Sequence, residues 1–218
     1  MQPDRSAGLA LIGGTLAGMV TMAFHPTGRA LLQDFDRVAP VNQAVHALAI
    51  AGTIATVYGL IGLSRSLAHR RSLAVAALVS YAFGAVAVMF AAIASGFVAT
   101  ALTAQVLQSG AAAREAFEPL FDYNWAFNQA TTRVFVVTAS VGIVLWSVAM
   151  LREPRFGRVL GLTGLTVGAA AAMATVGGLP MHIHGFGAIV LGHGLWMIWT
   201  GAKLLSADTA SVPRGDRA

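Results

Sequence analysis

Six long apolar runs leave this chain few ways to fold. They cover about 8–25, 44–66, 72–104, 125–151, 157–179 and 181–205, and each approaches or exceeds the roughly 20 residues a helix needs to cross a bilayer. In hydrocarbon every backbone N–H and C=O has to be bonded within the chain, which a helix achieves segment by segment. A membrane barrel would show alternating segments of about ten residues, whereas these runs are continuously apolar. Charged residues make up 11% of the 218 positions, against about 25% in soluble domains. The expectation is an all-α polytopic integral membrane protein, a single domain built as a bundle of six transmembrane helices. The first run is read as a retained helix, because it is too long for a signal peptide and lacks a cationic leader and a small-residue cleavage pattern.

The loops carry sign as well as length. Arg5, Arg65, Arg70, Arg71, Arg152, Arg155, Arg158, Lys203, Arg214 and Arg217 fall on one side of the six crossings. The other side has Arg29, Arg37 and Arg114 among Asp34, Asp36, Glu115, Glu118 and Asp122. Basic short loops stay in the cytoplasm, so both termini are expected there, in a bacterial-type inner (plasma) membrane. The net charge of +5 then reflects topology. No basic stripe with interleaved aromatics marks a nucleic-acid partner, and the expected surrounding is the lipid bilayer. The absence of cysteine removes disulfides, thiolate metal sites and thiol redox chemistry.

Six histidines stand against this apolar background. On the expected topology His25 ends the first helix, His46 lies one turn into the second, and His182 and His184 open the sixth, so four share the outer depth. His69 is cytoplasmic, and His193 lies deeper. An imidazole in hydrocarbon needs a ligand, a hydrogen bond or water. In a helix beginning at Pro180, His182 and His193 share a face but stand roughly 16 Å apart, so they belong to different sites. The plainer reading of a rim histidine is a hydrogen bond to a helix end or a lipid headgroup.

Other polar positions supply a setting. Asn42, His46, Ala49 and Thr53 share a face of the second helix that should point inward, and Gly14, Gly18, Thr21 and Met22 form a seam leading to His25. Trp125, Asn128, Gln129, Thr132 and Arg133 place two amides and a guanidinium in the outer half of the fourth helix. A central arginine is disfavoured by about 2.5–3.5 kcal/mol on insertion scales, so Arg133 is expected to find a partner in Glu118 or Asp122, or a cavity beside Gln129; the competing reading is a side chain that snorkels outward. The outer face is expected to consist of two loops, 26–40 and about 105–124, and a short 177–184 turn; within the second loop 111–123 reads as an interfacial amphipathic piece broken by Pro119 and placed to cap the histidines. The third helix reads as scaffold. The fifth carries a packing ridge of Gly161, Gly164, Gly168 and Ala172, and Trp196 and Trp199 read as a belt.

Neutral imidazole is a common nitrogen ligand for zinc, copper and iron. His182 and His184, joined by His25 and His46, offer up to four metal-ligating nitrogens, and Met22 and Met181 tilt such a site from zinc toward copper. Two of the same histidines are alternatively axial ligands of haem b, with Gly185, Gly187, Gly192 and Gly194 leaving flat surface for the ring. The expected function is a transition-metal or haem site at the outer face, with His193, Arg133, Asn42 and Asn128 around the cofactor. Two further readings remain open: a small-solute or proton-coupled transporter using Arg133 and His193, and a structural subunit of a homo-oligomer or larger membrane complex.

Overall fold

The computed structural model describes residues 3–26, 28–109 and 111–206. Arg214 and Arg217, and the side chains of Arg29 and Arg114, lie outside the described residues. All regular elements among the described residues are helical: α1 (Pro3–Ala23), α2 (Gly28–Gln33), α3 (Phe35–Ser66), a 3-10 turn (Ala68–Arg70), α4 (Arg71–Ile93), a π-helical turn (Ala94–Val98), α5 (Ala99–Ser109), α6 (Ala111–Met150), α7 (Arg158–Val176) and α8 (Ile183–Ser206). Six stretches are long and apolar enough to cross a membrane, one for each run read from the sequence.

Both expected outer loops prove to be largely helical. The 26–40 segment contains α2 and the start of α3, with Pro40 inside the helix. The 111–123 segment is not broken at Pro119; it is the first part of the 40-residue α6. At 1.5 Å per residue α6 is about 60 Å long, roughly twice the hydrocarbon thickness. Pro40 is the sixth residue of α3 and Pro119 the ninth of α6, past the first four N–H groups that lack an intrahelical partner, so each removes one bond from the ladder while the helix continues through it.

The bundle has two distinct ends. At the basic end the α3–α4 turn meets the α6–α7 turn through His69 Nδ1 and Glu153 at 3.4 Å, and Arg155 donates to the Leu204 carbonyl at the end of α8. At the histidine end α1 finishes beside α3, the π turn meets α6, and the α7–α8 connection packs on α6, where Gln129 donates to the Met181 carbonyl at 3.2 Å. The loop arginines Arg65, Arg70, Arg71, Arg152, Arg155 and Arg158 gather at the basic end, as the charge pattern requires.

Small residues bring the helices together, as expected where lipid supplies no hydrophobic drive between them. Gly14 of α1 lies against Gly52 and Thr56 of α3, and Gly8 against Gly201 of α8. The α7 ridge works as read: Gly161, Gly164 and Gly168 sit on Ser147, Ser140 and Val144 of α6, and Gly164 also faces the Trp196 indole. Trp196 is thus not a belt residue; it is 1% exposed and donates to the Leu160 carbonyl, whereas Trp199 is partly exposed. The basic half is filled by one core of Leu60, Leu63, Trp146, Met150, Phe156, Leu160, Trp196 and Leu204. Ile54, Val79, Phe83, Met173 and Val176 point outward, where a bilayer would receive them.

Candidate functional site

The histidine half is less filled. Three cavities follow one another from the histidine end toward the middle of the bundle. A vestibule of about 970 Å³ is lined by Glu115, Glu118, Asp122 and Asn124 of α6 together with Gln33 and Asn42. It shares His25, Pro26, Ser95, Trp125 and Asn128 with a chamber of about 290 Å³. The chamber adds His46, Gln129, Thr132, Met181 and His182, and shares Thr21, Met22, Ala49, Val88 and Phe186 with an inner cavity of about 120 Å³ that ends on Tyr81 and His193.

The wall between vestibule and chamber is built around the π turn. A π turn inserts one residue into an α-helix and shifts the carbonyl pattern, leaving backbone acceptors out of register. Three asparagines occupy them. Asn42 of α3 donates to the Ser95 carbonyl at 2.9 Å, the Gly96 carbonyl at 3.3 Å and Thr100 Oγ1 at 3.0 Å. Asn124 of α6 donates to the Ala94 carbonyl at 3.1 Å. Asn128 donates to the Ala91 carbonyl at 3.0 Å and to Ser95 Oγ at 2.8 Å. Asn42 and Asn128, expected around a cofactor, are thus clamps that hold α3 and α6 onto an irregular stretch of backbone. The Ser95-Gly96 pair was the sequence signal, since sharp departures from the α-helix concentrate at such pairs.

Gly96 explains the position of His46. Its missing side chain leaves the space where the imidazole lies, and a methyl there would overlap His46 Cβ. His46 is 3% exposed, its Nδ1 donates to the Asn42 carbonyl at 2.7 Å, and its Nε2 has no partner among the described residues. His25, in the turn after α1, donates from Nδ1 to the Pro26 carbonyl at 2.8 Å. Burial pushes the His25 imidazole below its ordinary pKa, outweighing that hydrogen bond, which acts in the opposite direction. Both rings therefore carry the proton on Nδ1 and leave the Nε2 lone pair free, and they touch edge to face with centroids 4.8 Å apart.

The four expected ligands thus separate into two pairs. His182 and His184 contact each other with centroids 5.8 Å apart, and both are exposed. His182 precedes α8 and accepts the Gly185 N–H on Nδ1 at 3.3 Å, which caps the helix and puts its proton on Nε2. His182 lines the chamber, whereas His184 lines none of the three cavities. Among the described residues no group of three or more His, Asp or Glu is arranged to hold a metal ion.

Arg133 and His193 do not form a second site. The inward stripe of α6 runs through Asn128, Thr132, Val136, Ala139, Ile143 and Trp146, and Arg133 lies about 100° around the helix from Thr132. Its side chain is exposed and makes no hydrogen bond or ion pair among the described residues, so the outward-reaching reading of this arginine fits the structure. His193 is 4% exposed and meets Ser140 Oγ at 3.3 Å through Nε2.

Comparison with family models, curated proteins and solved structures finds no match. The site is therefore read from its chemistry alone. The vestibule presents three carboxylates, and no Lys or Arg lines it among the described residues. Among the described residues the chamber has no Asp, Glu, Lys or Arg in its wall; its polar groups are imidazole, amide, hydroxyl and indole. The sequence reading missed Ser95 and Tyr81, because a helix with no ionisable group in its interior looked like scaffold.

Proposed function

We propose that this membrane protein takes a small cation in through the vestibule and holds it in the chamber, as the recognition step of a solute carrier. The observation that carries this reading is the order of charge along one path: carboxylates at the mouth, then uncharged acceptors. Acidic walls raise the local concentration of cations. Inside, the free Nε2 atoms of His25 and His46 and the Gln129 carbonyl oxygen offer acceptors in place of water, and the Trp125 ring offers a face to an organic ammonium. An anion would meet no cationic group among the residues lining this path. The packed core of the basic half closes the path at its far end, which leaves access from one side. With the basic end in the cytoplasm of a bacterial-type inner membrane, the vestibule opens outward.

A second reading is favoured by Met22 and Met181, which line the same chamber as His25 and His46. Two thioethers beside two imidazoles make a donor set suited to Cu(I). Haem b fits less well, because rings in edge contact at 4.8 Å leave no room for a porphyrin between them. Thermal unfolding of the purified protein separates the two. A ligand at about 100 times its Kd stabilises by about 2.7 kcal/mol. Stabilisation by methylammonium or tetramethylammonium, lost in His46→Gln, supports the solute reading. Stabilisation by Cu(I) alone supports the metal reading, and no response to any of them refutes both.

A further inference from the structure

The inner cavity lies beyond the chamber and nothing in the cation reading requires it. Its volume of about 120 Å³ exceeds several times the roughly 30 Å³ that a water molecule occupies in the liquid. Three side chains on its wall are more than nine-tenths buried yet have polar atoms without a partner among the described residues: the Tyr81 hydroxyl at 4% exposure, Thr56 Oγ1 at 5% and His193 Nδ1 at 4%. Each of these three atoms keeps some accessible surface of its own. They come from α3, α4 and α8, three helices that converge on this space. A buried hydroxyl or imidazole nitrogen left unpaired costs about 1–3 kcal/mol, and three such groups around one largely apolar cavity are satisfied together by water, which makes two to four bonds where polar partners converge.

We infer that the inner cavity is a hydrated subsite, filled by water continuous with the chamber, through which aqueous species reach His193 from the vestibule side. Tyr81, Thr56 and His193 form its hydrogen-bonding wall, and the neck is made by Thr21, Met22, Ala49, Val88 and Phe186. His193 is thereby the inner end of the path. Among the described residues the side chains that line the cavity with His193 are uncharged, including Thr15 of α1, Thr53 and Thr56 of α3 and Tyr81 of α4, and Ser140 of α6 meets its Nε2. The inference does not depend on which ligand the chamber takes.

Radiolytic hydroxyl-radical footprinting in nanodiscs tests it, because radicals formed from bound water label the side chains beside that water. Met197 lines the inner cavity and is 5% exposed, whereas Met150 is 0% exposed in the dry core. The expected result is labelling of Met197 and Tyr81 several-fold faster than Met150 and Trp146. Ala49→Leu and Val88→Phe, which narrow the neck from two different helices, should slow Met197 and Tyr81 while leaving Trp125 at the mouth unchanged. Met197 labelled as slowly as Met150 in the unaltered protein overturns the inference. Fast labelling that neither folded neck variant slows overturns the route through the chamber. A hydrated inner cavity in a protein that binds no cation leaves this inference standing and removes the carrier reading.

Discussion

Replacing Asn42 tests whether the π turn is held by its clamps. In Asn42→Ala the amide protons on the Ser95 and Gly96 carbonyls and on Thr100 Oγ1 are lost. An amide has two N–H groups, so two full bonds are removed, each contributing about 0.5–1.5 kcal/mol net, with about 0.6 as a mean between membrane helices. The Gly96 carbonyl keeps the Thr100 hydroxyl at 2.7 Å, whereas the Ser95 carbonyl loses its side-chain donor. The expected loss is about 2 kcal/mol. Asn42→Asp should cost more, because a carboxylate has no proton to donate and faces three acceptors. Unfolding by a denaturing detergent, followed by the fluorescence of the four tryptophans, gives the stability, and amide exchange over 95–99 gives the location. Loss below about 0.5 kcal/mol in both variants, with unchanged exchange at the π turn, would refute the clamp.

Other perturbations address separate parts of the account. Gly96→Ala forces a methyl into the space of His46, with an expected cost of about 1–3 kcal/mol from overpacking and a weakened response to chamber ligands; thermal unfolding with and without ligand checks both. Because His25 binds its proton less readily in the folded state, its contribution to stability is full above the unfolded pKa of about 6.5 and is lost as pH falls below it. The unfolding midpoint should therefore drop between about pH 7 and about pH 5, and less steeply in His25→Gln. Arg133→Leu should leave stability equal or higher and chamber binding unchanged, since the side chain leaves the bundle; a loss of ligand-induced stabilisation contradicts that placement. Gly164→Val should strongly destabilise the protein, because a side chain there overlaps Ser147 Oγ and the Trp196 indole; the yield of folded, monodisperse protein in detergent reports it.

The bundle was legible because its signal is physical and long-range in sequence: runs of apolar residues at membrane length, bounded by basic turns. The inward face of α3 was legible for a related reason, since Asn42 and His46 recur at helical spacing and lipid offers neither a partner. The phase of Arg133 was not. Four residues advance a helix by about 400°, so Gln129 can line the chamber while Arg133 passes the edge of the buried stripe. Pro40 and Pro119 misled in the same direction, because a proline near a helix start looks like a break when the start itself is unknown. The rim histidines shared a depth, as topology required, but depth does not fix direction, and the turn before α8 sends His184 away from the chamber that His182 borders. The π turn had a faint signal in Ser95 and Gly96, whose meaning appears only with the asparagines of two other helices around it.

Charge-selective access to the chamber is the central claim, and the absence of native cysteine permits a clean test. Ala49→Cys places one thiol at the boundary between chamber and inner cavity. A cationic methanethiosulfonate carrying trimethylammonium and an anionic one carrying sulfonate are added from the vestibule side of oriented vesicles, and their rates are compared. The account predicts faster modification by the cation, with the preference reduced when Glu115→Gln, Glu118→Gln and Asp122→Asn are combined. Equal rates for the two reagents, or a thiol that neither reaches, would contradict it.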